Sequence, residues 1–329
     1  MRATAKGLRQ LGGAILRAGG SSAGEADLVA EHLVEANLKG HDSHGIGMIP
    51  TYVRHLRAGL VVPNTPAKVI KDDGPILMFD GNRGYGRAVA GEMVSAAIAR
   101  CRQTGVTVAT LANAHHIGRV GVYGEMATAA GLVSLHFVNV TDHRALVAPF
   151  RGGDARFSTN PVCIALPPTA NQPAVLLDMA TSGVAMGKIR VAKNEGKPAP
   201  EGTLIDSKGQ PTRDPNVMYS EPLGAMLPFG GHKGSGLALV IELLVGGLAG
   251  GRVGTSHAGA RGMLFLVVDP AEPTALAAVV TSLVNDLHAS GDDVHVPGTG
   301  QPDWSVPVDV PDVVVEQLRV AAGGSDQPE

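Results

Sequence analysis

The clearest periodic stretch covers residues 22–39. Ala26, Val29, Leu33 and Ala36 fall on one helical face, and Ser22 and Glu25 have capping-box spacing. A helix is expected there. It runs into a polar knot, Gly40-His41-Asp42-Ser43-His44-Gly45-Ile46-Gly47. Helical spacing returns over 49–60, with Pro50 in the first turn and Gly59 at the end. A Pro-rich link, 61–66, follows. Strand patterns at 76–80, 106–111, 132–139, 162–166 and 174–178 are interleaved, over 76–139, with helical patterns at 88–103 and up to residue 130. That alternation predicts an α/β layer structure.

The second half is less regular. Residues 190–222 are rich in Pro, Gly and charge and read as a long functional loop, a lid or an inter-subunit arm. A helix over 235–248, a strand over 263–269 and an amphipathic helix over 276–290 restore the pattern. Residues 291–306 read as irregular, 311–322 as a last helix, and 324–329 as a disordered tail.

Composition narrows the class. The 329 residues suit one large domain or two to three closely joined ones. With 44% hydrophobic but only 3% aromatic residues, the core is aliphatic. Net charge is −3 with charges scattered, so neither nucleic acid nor an anionic membrane is an expected partner. Cys101 and Cys163 sit in separate apolar runs, without CxxC, and read as free buried thiols. Residues 1–20 spread Arg2, Lys6, Arg9 and Arg17 among Leu and Ala, unlike a secretory signal. The apolar run 234–251 contains Glu242 and six glycines and reads as a buried helix. A cytoplasmic protein is expected.

Several chemistries lack their motifs. No GxGxxG follows a strand with an acidic residue about 20 positions on, and no GxxxxGK[ST] occurs. Gly118-Arg-Val-Gly121 and Gly231-His-Lys-Gly234 still open helices beside cations, which suits a phosphate-bearing ligand as well as an ordinary turn. There is no HExxH, and Gly234-Ser235-Gly236 is not a nucleophile elbow. Acid–base chemistry remains: His44 stands on a glycine turn after a helix, and His116 follows the strand 106–111, where open α/β sheets collect ligands. Each could equally be a satisfied structural histidine.

Six blocks then occur in fixed order: HDSHG at 41–45, NAHHIGRVG at 113–121, FSTNP at 157–161, LDMATS at 177–182, Gly187-Lys188, and LPFGGHKGSGL at 227–237. The set resembles the malate/L-lactate dehydrogenase family of NAD(P)-dependent oxidoreductases, which is distinct from the Rossmann-fold lactate and malate dehydrogenases. Among its members, bacterial 2-hydroxycarboxylate dehydrogenases are the most similar in wording. The resemblance covers roughly residues 20–322. It implies a three-layer α/β/α fold with a mixed sheet and a helical domain from the chain ends, here 1–66 with 306–323, joined to an α/β region over 67–305. It also implies a homodimer that binds NAD, with NADP as the alternative, and a small 2-hydroxy or 2-oxo acid.

Residue by residue, the resemblance implies a proton relay at Ser43 and His44, with His116 and Lys188 completing the catalytic set. Cofactor contacts are implied for His44, Gly118, Arg119, Val120, Leu176, Leu177, Asp178, Met179, Ala180 and His232. Arg261 and the late loop Pro297-Gly298-Thr299-Gly300 join them, although Arg261 stands where relatives often carry Asn and Thr299-Gly300 replace the usual acidic pattern. Met48, Tyr52, Arg54, Thr159 and Asn160 fall on the substrate side. Many relatives place Arg where Met48 stands, so Arg54, Arg119 or backbone groups must hold the substrate carboxylate. The imino-acid reductases of the family carry Asp where this chain has Lys188. That departure argues against imine reduction, so a cyclic imino-acid reductase is kept only as the second enzyme reading, and a zinc- or ligand-binding histidine cluster as a third. No metal ligand is assigned.

Overall fold

The computed structural model describes residues 2–140, 144–250, 253, 261–291, 293–298 and 302–323. After a two-residue strand, β1 (Arg2–Ala3), the chain forms helices α1 (Ala5–Ala18), α2 (Ala23–Leu38) and α3 (Ile49–Arg57). Helix α1 is absent from the sequence expectations. Gly7, Gly12 and Gly13 lower its intrinsic propensity, but Leu8, Ile15 and Leu16 are buried against Val29, Leu33 and Ile49, and tertiary packing decides. Ser22 caps α2 as its spacing predicted, its Oγ accepting from Glu25 N at 3.3 Å.

The sheet region follows in chain order. It comprises β2 (Lys68–Asp73), β3 (Ile76–Asp80), α4 (Gly86–Thr104), β4 (Val106–Ala114), α5 (Gly121–Ala129), β5 (Val133–Asn139), β6 (Val162–Leu166) and β7 (Val175–Met179). Then come α6 (Met186–Asn194), β8 (Leu204–Ile205), β9 (Pro211–Thr212), β10 (Ala225–Met226), α7 (His232–Ala249), β11 (Arg261–Val268) and α8 (Pro273–Ala289). The chain closes with β12 (Val308–Asp309), which pairs with β1, and α9 (Asp312–Ala321). Val308, Val310 and Leu318 pack into the core of the first three helices.

Seven strands form one sheet in the order β2-β3-β4-β11-β5-β6-β7. Only β3 and β4 run parallel among these pairs, so the sheet is mixed. Its two faces follow the period of two along each strand. On one face Met263, Phe265 and Val267 meet α4 and α5 through Met93, Val94 and Tyr123. On the other, Leu264 meets Ile241 and Val245 of α7. The result is the three-layer α/β/α arrangement with a mixed sheet, plus the terminal helices.

Three sequence readings change. Strand β2 (KVIKDD) is exposed at every position, so no hydrophobic alternation marked it; it is a charged edge strand. Residues 190–222 are not one long loop. Helix α6 continues to Asn194, and β8, β9 and β10 form a small sheet over a core of Val147, Ile189, Leu204 and Met218. Helix α7 is long and apolar enough to span a membrane by length and composition, but only one of its faces is buried. That face carries Glu242 inward, while Leu239, Val240, Leu243 and Leu248 are exposed. The residues 324–329 lie outside the described ones.

Candidate active site

The polar knot becomes two short 3-10 turns, Asp42–His44 and Ile46–Met48. Asn37, at the end of α2, ties them down: its amide donates to Asp42 Oδ1 at 2.5 Å, and its Oδ1 accepts from Ile46 N at 2.7 Å. Ser43 faces the start of α6. A side chain at Gly187 would collide with Ser43, so glycine there lets the helix close on the turn. Lys188, the next residue, is exposed.

His44 and His116 meet across 72 residues of sequence. His44 Nδ1 lies 3.1 Å from His116 Nε2, and the rings are near parallel, 5.2 Å apart at 18°. His116 Nδ1 lies 2.7 Å from the Tyr52 hydroxyl, and both residues are buried. A second pair sits behind them: His55 Nδ1 is 2.8 Å from His115 Nε2, and the Tyr52 ring stands edge-on to His115. Gly86, at the start of α4, is needed for this packing, because a Cβ there would strike the carbonyls of His115 and His116.

Each imidazole bond needs one bare and one protonated nitrogen. The chain His44–His116–Tyr52 therefore has two neutral proton arrangements. If Tyr52 donates to His116 Nδ1, His116 Nε2–H donates to His44 Nδ1, and His44 Nε2 carries a proton. If all the bonds reverse, His44 Nε2 is bare and basic. Proton uptake at one end is thus coupled to the hydroxyl at the other.

Three residues along the chain from each of these histidines, His41 and Arg119 line a cavity of about 550 Å³. Leu176, Leu177, Asp178, Pro297 and Gly298 line it too, with Lys39, Glu125 and His295. Pro297 and Gly298 get there by pairing with the exposed edge of β7: Leu176 N donates to Pro297 O at 3.1 Å, and Gly298 bridges Val175. Arg119 is 3% exposed, its guanidinium 2.7 Å from Glu125 and 3.2 Å from Glu35. Lys39 Nζ contacts the same two carboxylates, Glu35 at 3.0 Å and Glu125 at 2.7 Å. The Arg119 and Lys39 contacts hold the Glu125 carboxyl below its usual range against the opposing effect of burial. Asp178 Oδ2 accepts from Gly121 N, at the start of α5, at 2.7 Å. Burial pushes the Asp178 carboxyl up and is also the main reason that the neighbouring His41 imidazole is pushed down.

Sequence reading missed His32. It is buried on α2, and its Nε2 accepts from Arg119 N at 3.2 Å. Burial, then the charges of Arg87 and Arg119, hold its pKa well down, so it stays a neutral acceptor. Gly118, at φ 76°, has its Cα against that ring. No spacing rule links residue 32 to residue 119; only the helix packing does. Lys39, Glu35, Glu125 and His295 were missed for the same reason.

The other expected residues are dispersed. Gly118 and Val120 are buried in the turn before α5 and, like Met179 and Ala180, lie beside cavity residues without lining it. His232 is exposed at the start of α7, 5.8 Å from the Phe150 ring. Met48 is half-buried and packs on the helical core. Arg54 is exposed and donates to Thr51 on its own helix at 2.9 Å. Thr159 O accepts from Thr181 N and Oγ1. Asn160 is fully buried, its amide donating to Glu242 at 2.8 Å. Arg261 opens β11, pairing with Ala114; Thr299 and Gly300 lie outside the described residues. Among the described residues, no group of three or more His, Cys, Asp or Glu is placed to hold a metal ion.

The chain is similar to several known proteins. A family model described as malate/L-lactate dehydrogenase matches residues 3–303. Hydroxycarboxylate dehydrogenase B of Escherichia coli (strain K12) is 49% identical over 244 residues, 74% of this chain and 66% of that protein. The matched stretch thus spans slightly under two thirds of that relative's length. An L-lactate dehydrogenase of Cupriavidus necator is 47% identical over 251 residues, 76% of this chain and 72% of that one. The solved structure of sulfolactate dehydrogenase from Methanocaldococcus jannaschii superposes with a TM-score of 0.85 at 29% identity, covering 98% of this chain and 97% of that one. With a family match over nearly its whole length and a fold shared with solved relatives, the chain belongs to the malate/L-lactate dehydrogenase family.

Proposed function

We propose that this protein interconverts a 2-hydroxy acid and a 2-oxo acid with a nicotinamide dinucleotide. The observation that carries this reading is the hydrogen-bonded chain His44–His116–Tyr52 beside the cavity of Leu176–Asp178 and Pro297–Gly298. The cavity's residues fit such a cofactor: apolar walls from Leu176, Leu177 and Pro297, and hydrogen-bonding groups from His41 and Asp178. The bound nicotinamide supplies the exchange of hydride with C2 of the acid. The protein's own task is the proton. His44 Nε2, bare in one arrangement of the chain, takes the hydroxyl proton on oxidation and returns it on reduction. His116 orients His44, and the Tyr52 hydroxyl, able to donate or accept, pairs with His116 Nδ1 in either tautomer.

NAD is the proposed cofactor. The cavity's cations Lys39 and Arg119 are already engaged by Glu35 and Glu125, which disfavours a 2′-phosphate, and Asp178 offers an acceptor of the kind that suits a ribose hydroxyl. The test is a panel of pyruvate, oxaloacetate, phenylpyruvate and piperideine-2-carboxylate, each with NADH and NADPH. Reduction of at least one 2-oxo acid, faster with NADH, is expected. Activity on the cyclic imine alone would establish the imino-acid reductase reading instead.

A second copy of the chain is the proposed partner of α7. Leu239 and Leu243 stand one helical turn apart on its exposed side, Leu243 with 61% of its surface free. Leu243→Glu is expected to turn a dimer into a monomer in analytical ultracentrifugation without loss of fold. A wild-type protein that sediments as a monomer at micromolar concentration rejects this.

A further inference from the structure

The proposed reaction needs a cation that holds the substrate carboxylate, and the arginines expected in that role are otherwise placed. Arg119 is spent on Glu35 and Glu125. Arg54 is exposed and bonded to Thr51. Met48 packs into the helical core.

Arg190 is differently situated. It lies on α6 one turn beyond Gly187, so the two share a helix face. Gly187 seats that face on Ser43. Arg190 brings a guanidinium nitrogen to 4.0 Å from where a Cβ on Gly47 would stand. The two residues therefore flank the 42–48 turn that carries His44. Gly47, lacking a side chain, leaves the space into which the guanidinium reaches. Arg190 is half-buried, and among the described residues it makes no hydrogen bond or ion pair through its side chain. The other charges of α6, Lys188 and Lys193, are cationic as well, and the helix holds no acid. Burial raises the Tyr219 phenol while Arg190, then Arg144, act against it, so both guanidinium groups lie within electrostatic reach of that ring. A partly desolvated guanidinium without a counter-charge is costly on its own and suited to an arriving anion.

We propose that Arg190 is the substrate-binding arginine, its guanidinium forking onto the carboxylate of the 2-oxo or 2-hydroxy acid while His44 exchanges the proton on the C2 oxygen. The assignment rests on the dehydrogenase reading above. It makes an arginine at position 48 unnecessary and transfers that task from the turn to the helix packed against it.

The test compares Arg190→Met and Arg190→Lys with the wild type, using pyruvate and ethyl pyruvate, or phenylpyruvate and its ethyl ester, whichever acid the wild type reduces. NADH affinity is followed separately by its fluorescence. Arg190→Met is expected to raise KM for the acid about ten- to hundredfold, leave NADH affinity within about twofold, and abolish the preference for acid over ester. Arg190→Lys keeps the charge but not the fork and is expected to fall between. If Arg190→Met fails to fold, the acid-over-ester preference in Arg190→Lys decides: a reduced preference supports the proposal, an unchanged one overturns it. Equal KM in Arg190→Met and wild type overturns it, as does a loss that falls equally on acid and ester. A wild type that reduces no 2-oxo acid removes the dehydrogenase reading itself, and the proposal with it.

Discussion

Replacing His44 by Ala is expected to lower turnover by a factor of about 10² to 10⁴, the usual contribution of a positioned acid–base group. The reason lies in the hydrogen-bonded chain. His44 Nδ1 is 3.1 Å from His116 Nε2, and His116 Nδ1 is 2.7 Å from the Tyr52 hydroxyl. Truncation at His44 removes the terminal base and leaves His116 Nε2 without this partner. His116→Ala breaks the same unit at its middle. The two losses are expected to be strongly non-additive, the double variant being little slower than His44→Ala alone. Steady-state rates at saturating NADH and 2-oxo acid measure this. Turnover near the wild-type value in His44→Ala would remove the proton-transfer assignment, and simple multiplication of the two losses would show that the histidines act separately.

The second large effect concerns stability. Glu242 is 5% exposed on the inner face of α7, where it accepts from Asn139 Nδ2 at 3.0 Å and Asn160 Nδ2 at 2.8 Å. Asn160 is fully buried and has φ 24°, a backbone region that costs a non-glycine residue strain and needs support from its surroundings. Glu242→Leu would leave two buried amides short of an acceptor. The expected loss is about 3 kcal/mol of folding free energy, most of it the cost of removing a buried carboxylate acceptor from two amides. Glu242→Gln keeps one acceptor oxygen but turns an NH₂ towards the other amide, so an intermediate loss is expected. Urea denaturation followed by circular dichroism reads both. A midpoint for Glu242→Leu indistinguishable from the wild type would show that the cluster does not support the fold.

Much of the fold was legible. Apolar runs of strand length such as 76–80 and 162–166, and the capped helix from Ser22, stand where their patterns put them, because length, apolarity and capping are local signals. Helix α1 and strand β2 were not legible for opposite reasons. The first hides its apolar face among glycines that dilute the signal, and the second has no buried face at all. The aliphatic run of α7 read as a wholly buried helix, yet only its inner side is covered. Composition records how apolar a helix is, not how many neighbours it has. At the site, the glycine-flanked histidines were visible as candidates, and the ordered motif blocks suggested partners. Which of these touch could not be read.

By itself, then, the sequence determined the layer class, the approximate helix ends, the absence of the common nucleotide and zinc-protease motifs, and the family. All of these depend on residues near one another in the chain or on blocks in a fixed order. The tertiary structure alone decided that His44 bonds His116 and not Ser43, that His32 receives the Arg119 amide, that Arg119 is committed to Glu35 and Glu125, and that Arg190 reaches the turn of His44. Apart from the Arg119–Glu125 pair, six residues apart, each is a contact across more than 70 residues of chain. Such contacts are set by how helices and sheet pack, and no local periodicity encodes them.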